Sequence, residues 1–187
     1  MKSEYTVALA GNPNVGKSTV FNALTHLRQH TGNWPGKTVS GAVGRFEAGD
    51  VHVKLVDVPG AYSLVPRSPE EAVARDYILG KLTDSGRSPP DAVAVVLDAC
   101  CMERSLRFAS EIAKTGLPCI FLINLTDEAE KRGIAVNVPL IEELSGIPSV
   151  SCCAVGGTGL PRFTERLADL LKDGTYRAAD FSHEELF

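Results

Sequence analysis

The sequence predicts an α/β fold, a mostly parallel sheet with helices on both faces, on three observations. Apolar runs alternate along the chain with stretches of helical periodicity. Two of those runs, AVAVVL at 92–97 and CIFLI at 119–123, are apolar without alternation, as central strands buried on both faces are. The first run, YTVALA, passes directly through a glycine-rich turn, GNPNVGKST at 11–19, into a helical pattern.

Taken in order, the strands are predicted at 5–10, 51–58, 91–99, 118–125 and 148–154. VHVKLVDV at 51–58 alternates, with Val51, Val53 and Leu55 on one side and His52 and Lys54 on the other, so it is placed nearer the sheet edge. Helices are predicted at 17–27, 69–82, 103–115, 138–144 and 160–172. In the last, Leu160, Phe163, Leu167, Leu170 and Leu171 form one stripe with Arg162, Glu165, Arg166 and Asp169 off it, and Gly174 ends the helix. SGRSPPD at 85–91 reads as a surface loop.

The 187 residues, 44% of them hydrophobic, suffice for one globular domain of about 1–173 with a short tail at 174–187. A net charge of −4 argues against a duplex-coating protein, so no nucleic-acid partner is expected. No apolar stretch approaches the roughly 20 residues of a membrane helix, and the chain as given is expected to be soluble. The five cysteines include two adjacent pairs, Cys100 with Cys101 and Cys152 with Cys153, and show no CxxC spacing. They are expected to be small buried side chains at strand ends in a reducing compartment.

Gly11, Gly16, Lys17 and Ser18 fit G-x-x-x-x-G-K-[ST], between a strand and a helix. Such a turn points successive N–H groups inward and sets a helix N-terminus at the same place, which suits a triphosphate. Lys17 would reach the β- and γ-phosphates, and the Ser18 hydroxyl would ligate Mg²⁺. The pattern does not choose between ATP and GTP.

Downstream, DVPG puts Asp57 at a strand's C-terminal end, near the phosphate loop. Its carboxylate can hold a magnesium-bound water, and Gly60 can offer its N–H to a γ-phosphate because no side chain blocks the approach. NLTD at 124–127 closes the buried strand, and the Asp127 carboxylate can accept from guanine N1–H and its exocyclic amine. Adenine offers neither donor, and a site built this way discriminates by roughly 10⁴. After the last strand, CCAVGGTG places the Ala154 N–H for the guanine carbonyl. Together these motifs point to GTP or GDP.

At GNWPGKTV, 32–39, the chain resembles the cytosolic G domain of FeoB, the bacterial ferrous iron transporters. GNPNVGKSTVFNALT, LVDVPGAYSL, LDACCMERSL and INLTDEAEKRG are similar too, and the likeness runs from about residue 5 to 170. It implies a Ras-like P-loop GTPase fold and slow, Mg²⁺-dependent GTP hydrolysis coupled to ferrous iron transport. Thr38 then corresponds to the switch-one threonine whose hydroxyl binds Mg²⁺. Asn14 matches the asparagine that holds K⁺ beside the phosphates, with backbone carbonyls around Gly32 and Trp34. Such a cation would neutralise charge developing in the transition state.

The nucleotide contacts implied are Gly11, Asn12, Pro13, Asn14, Val15, Gly16, Lys17, Ser18 and Thr19; Gly36, Lys37, Thr38, Val39 and Ser40; Asp57, Val58, Pro59 and Gly60; Asn124, Leu125, Thr126 and Asp127; and Cys153, Ala154 and Val155. Asn14, Lys17, Thr38 and Gly60 carry the catalysis, and Ser18, Thr38, Asp57 and Asn14 the metals. Ala61 stands where many regulatory GTPases carry a water-orienting glutamine, and a methyl group cannot hydrogen-bond. His30 reads as a solvated loop histidine.

Two departures from the family pattern stand out. Lys37 and Ser40 flank Thr38 and Val39 where the family has a hydrophobic residue and Glu, and Cys153 replaces the serine of its Ser-Ala guanine loop. The resemblance further implies a helical regulatory segment opening at 174–187, a membrane transport region beyond it, a place at the cytoplasmic face of the inner membrane and other transport-system proteins as partners. The alternatives are a ribosome- or tRNA-maturation GTPase and a GTP/GDP-sensing interaction module with negligible catalysis.

Overall fold

The computed structural model describes residues 4–26, 29–34, 37–82 and 88–173. Its sheet has seven strands: β1 (Tyr5–Gly11), β2 (Gln29–Asn33), β3 (Ser40–Ala48), β4 (Val51–Asp57), β5 (Ala92–Asp98), β6 (Cys119–Asn124) and β7 (Ser149–Ser151). The spatial order is β2-β3-β4-β1-β5-β6-β7. The β4-β1-β5-β6-β7 half is parallel, while β3 pairs antiparallel with both β2 and β4. The helices are α1 (Lys17–Thr25), α2 (Pro69–Ile78), α3 (Met102–Ala113), α4 (Thr126–Lys131), α5 (Val138–Ser145) and α6 (Leu160–Lys172).

Side-chain alternation in β1, β5 and β6 divides the core into two layers. Ala8, Ala10, Val95, Leu97, Phe121 and Ile123 join Tyr77 of α2 and Phe108 of α3 on one face. Val7, Leu9, Ala94, Val96, Ile120 and Leu122 join Phe21 of α1 and Phe163 of α6 on the other. Both faces are dry, which is why these strands read as unbroken apolar runs.

The sequence reading missed β2 and β3, and with them the position of β4. The strand at 51–57 is not near an edge, because β3 and β2 lie beyond it. Its alternation has another cause: Val51, Val53 and Leu55 are buried against α1 and α6, whereas His52 is exposed on the opposite face. Gly41 and Gly44 of β3 are packing glycines. A Cβ on Gly41 would lie 2.5 Å from the Trp34 Nε1, and one on Gly44 would overlap the Thr25 side chain. His30 is a β2 residue paired with Val43, not a loop residue.

Helix ends also differ. The 17–27 helix stops at Thr25 because His26 turns left-handed at φ 48°, and the 69–82 helix stops at Ile78, two residues before Gly80 at φ 70°. The Leu160–Lys172 helix matches the prediction, while Gly174 and the tail at 174–187 lie outside the described residues. Cys119 and Cys152 are buried as expected, but Cys101 is exposed and Cys100 and Cys153 are half-buried. No described helix is long and apolar enough to cross a membrane.

Candidate functional site

The C-terminal ends of β1, β4 and β6 lie at the same end of the sheet, and each motif leaves the sheet there. β1 ends at Gly11, where a Cβ would sit 2.7 Å from the Val96 carbonyl of β5, so only glycine lets the chain turn up so close to its neighbour. Asn14 and Gly16 both take positive φ, 67° and 82°, which bends the loop back on itself before α1. Val15 is buried in the core between them and anchors the loop, while Asn14, Ser18 and Thr19 are exposed around its mouth.

β4 delivers Asp57 opposite the loop. The Lys17 ammonium lies 2.6 Å from Asp57 Oδ1, and both side chains are largely covered. Val58 N–H donates to the Leu9 carbonyl and Ala61 N–H to the Gly11 carbonyl, which fastens 57–61 alongside the loop. Asn12 Nδ2 donates to the Ala61 carbonyl at 3.0 Å, and its Oδ1 is buried without a protein partner. Gly60 lies against Pro13, a Cβ there falling 3.1 Å from the Pro13 Cα. Pro59 and Gly60 thereby wall a cleft of about 330 Å³ with Asn14, Lys17 and Ser18.

β6 delivers Asn124, which is buried and bridges two loops. Its Nδ2 donates to the Val15 carbonyl and its Oδ1 accepts from the Ala154 N–H, both at 3.0 Å. The Ala154 N–H expected to face a guanine carbonyl is thus directed at Asn124. Leu125, at φ 63°, turns the chain into α4, a helix the sequence reading missed. Thr126 Oγ1 donates to the Cys152 carbonyl at 2.8 Å, so the NLTD segment is tied to the loop after β7.

Asp127 opens α4 with its carboxylate partly exposed. The hydrogen bond from the Cys153 thiol, above all, holds the Asp127 carboxyl below its ordinary range, with smaller help from the N–H groups at the start of α4 and from Lys131. Burial pushes the neighbouring Cys152 thiol up to about 12 and leaves it inert. The Val155 side chain is 85% exposed and points away.

The structure does not bring switch one to the cleft. Lys37, Thr38 and Ser40 are exposed and line none of its wall, while Val39 is buried in the core; Gly36 lies outside the described residues. Trp34 is 1% exposed and meets Tyr77 edge-on at 4.9 Å, its N–H donating to Val39 and its carbonyl accepting from Lys37. Gly32 pairs with Gly41 within the sheet.

Sequence reasoning missed three carboxylates here. Glu70 reaches the rim of the phosphate cleft, and Glu71 accepts from the N–H groups of Tyr62 and Arg67 at 3.0 and 2.8 Å. Glu111 of α3 accepts from Leu64 N–H. Glu70 and Glu71 lie in the first turn of α2, where acidic side chains complement the helix dipole.

The donor set fits an anion with a divalent cation. A cationic Lys17 and an anionic Asp57 already paired are the two groups that phosphate oxygens and a magnesium ion would separate, and the positive-φ loop aims its backbone at the same cleft.

Known proteins share the sequence pattern and the fold. The family described as ferrous iron transport protein B matches residues 5–167. A Porphyromonas gingivalis protein, an Fe(2+) transport protein A/Fe(2+) transporter FeoB fusion, is 38% identical over 164 residues, covering 88% of this chain and 19% of its own. The chain spans about a fifth of the length of the curated relatives it matches. The solved G domain of the T. maritima FeoB iron transporter aligns with a TM-score of 0.81 at 37% identity, covering 90% of this chain and 99% of its own. The GMPPNP form of the T. maritima cytosolic domain gives 0.85 at 37% identity, with 92% and 66% covered, and the same domain is solved in a GDP form. By sequence and by fold, this chain belongs to the ferrous iron transport protein B family and corresponds to its N-terminal G domain.

Proposed function

We propose that this chain binds GTP and GDP with Mg²⁺, hydrolyses GTP slowly, and couples its nucleotide state to ferrous iron transport as the cytosolic part of a larger membrane protein. The observation that carries the reading is the convergence at the C-terminal ends of the parallel strands of Lys17 paired to Asp57, a positive-φ phosphate loop, and Asn124 bridging that loop to the loop after β7. The GDP and GMPPNP forms of the T. maritima relative support it.

Lys17 would turn from Asp57 to the phosphate oxygens, and Ser18 and Asp57 would hold a divalent ion, which would supply charge neutralisation there. Gly60 presents its N–H to the γ-phosphate from a position fixed against Pro13. Asp127 accepts the two guanine donors, and the Cys153 thiol holds its carboxyl below the ordinary carboxylate range. Thr38 lies outside the cleft lining and would reach a metal there only after moving, so GTP favours one arrangement of Thr38 and GDP the other. Asn14 and the Trp34 carbonyl, now engaged by Lys37, are the groups that would hold a K⁺ ion, which would supply positive charge beside the phosphates.

Ala61 favours a second reading, a nucleotide sensor with negligible turnover, because its side chain is a buried methyl and its N–H and carbonyl are both engaged. Single-turnover hydrolysis separates the two. The rate in KCl is expected to exceed that in NaCl by on the order of tenfold, to vanish with EDTA, and to lose its salt preference in Asn14→Ala. Equal rates in the two salts contradict the K⁺ role, and no hydrolysis in either leaves the sensor.

A further inference from the structure

Switch two, 60–68, is fastened to the body of the protein by two carboxylates from different helices. Glu71 of α2 takes the N–H groups of Tyr62 and Arg67. Glu111, near the end of α3, takes the other half of the loop. Its Oε2 accepts from Leu64 N–H at 2.6 Å and from the Ser63 hydroxyl at 2.9 Å, and its Oε1 lies 3.2 Å from the same hydroxyl. Ser63 Oγ in turn accepts from Val65 N–H at 3.0 Å. Arg104, Arg107 and Glu111 recur at helical spacing along α3, so one stripe of that helix faces the loop. The Arg104 guanidinium sits 5.6 Å from the Tyr62 ring centroid on that stripe.

These contacts restrain the peptides that immediately follow Gly60. Ala61 is held by Gly11, Tyr62 by Glu71, and Ser63 and Leu64 by Glu111. A backbone N–H serves a γ-phosphate only where its direction is fixed beforehand. Removing the distal anchor frees Ser63, Leu64 and the Val65 N–H bonded to Ser63 while Glu71 still holds Tyr62, so Gly60 loses part of its fixed direction without losing any contact a diphosphate would make.

We propose that Glu111 is a positioning residue for the γ-phosphate: from α3 it holds Ser63 and Leu64 so that Gly60 N–H is aimed at the triphosphate's terminal group, and it distinguishes GTP from GDP without touching either. This rests on the GTP-binding reading above. It also makes α3 a mechanical support of switch two, whose outer loops change as the nucleotide does.

The test measures fluorescent GDP and GMPPNP affinities, single-turnover GTP hydrolysis and the melting temperature for the unmodified chain, Glu111→Ala and Glu111→Gln. In Glu111→Ala, GMPPNP affinity and hydrolysis are expected to fall by about tenfold, with GDP affinity within twofold. Glu111→Gln rescues to within about threefold, since its carbonyl accepts from Leu64 and its amide donates to Ser63 Oγ. A role confined to stability would lower melting temperature and both affinities together. That outcome, or an alanine variant with an unchanged GMPPNP-to-GDP ratio, overturns the proposal. An unmodified chain that binds neither nucleotide overturns the GTP-binding reading itself, whereas failure of the Glu111 variants alone leaves that reading standing.

Discussion

Asp127→Asn is expected to weaken GDP binding by about three orders of magnitude and to make xanthosine diphosphate the preferred ligand. Guanine presents two donors, N1–H and the exocyclic amine, and only a carboxylate accepts both. Asparagine has one acceptor and one donor, so its Nδ2 would face the guanine amine, donor against donor. Xanthine carries a carbonyl where guanine has the amine, and then both contacts are satisfied. A thousandfold loss corresponds to about 4 kcal/mol, a reasonable cost for two charge-assisted hydrogen bonds in a partly covered site. Competition titrations with the two diphosphates measure it. Because Cys153 holds the Asp127 carboxyl below its ordinary value, the wild-type preference for GDP is retained as pH falls toward about 5 and is lost only below the usual carboxylate range near 4.

Gly16→Ala is expected to lower nucleotide affinity by at least about a hundredfold and to reduce the melting temperature by about 5–10 °C. Two effects act on the same residue. Gly16 sits at φ 82°, which costs an L residue about 1–2 kcal/mol. Its added Cβ would also overlap Asn124 Nδ2, a side chain that cannot step aside because it is bonded at one end to Val15 and at the other to Ala154. Breaking either buried bond adds about 1–3 kcal/mol. Nucleotide titration and thermal melts read the two consequences separately. An alanine variant with unchanged affinity would show that the loop accommodates a side chain, against the close packing described here.

The parallel half of the sheet was legible because burial on both faces leaves unbroken apolar runs, and α6 because its apolar stripe is long and capped by sharp changes of composition. The antiparallel β2 and β3 were not. Gly41 and Gly44 weaken the strand pattern of β3, and their packing against Trp34 and Thr25 is a tertiary contact that strand propensity does not announce. α4 was hidden by its shortness and by overlap with a motif read for its chemistry rather than its conformation.

The phosphate and base motifs were legible as residue types at fixed spacing. Their connections were not: Asn124 joining two loops, and the pairs Lys17 with Asp57 and Asp127 with Cys153, are contacts between segments far apart in the chain. The burial of Trp34 against Tyr77 was not legible, because it is a contact between residues far apart in the chain.

The central claim is that a guanine nucleotide docks on the loop beginning at Gly11, with Asp127 reading the base. Calorimetric titration of the purified chain with GDP and, separately, with ADP in Mg²⁺ buffer tests it most directly. GDP should give a saturable heat, and ADP should bind at least about a thousandfold more weakly. Absence of heat with GDP, or equal affinity for ADP, would contradict it.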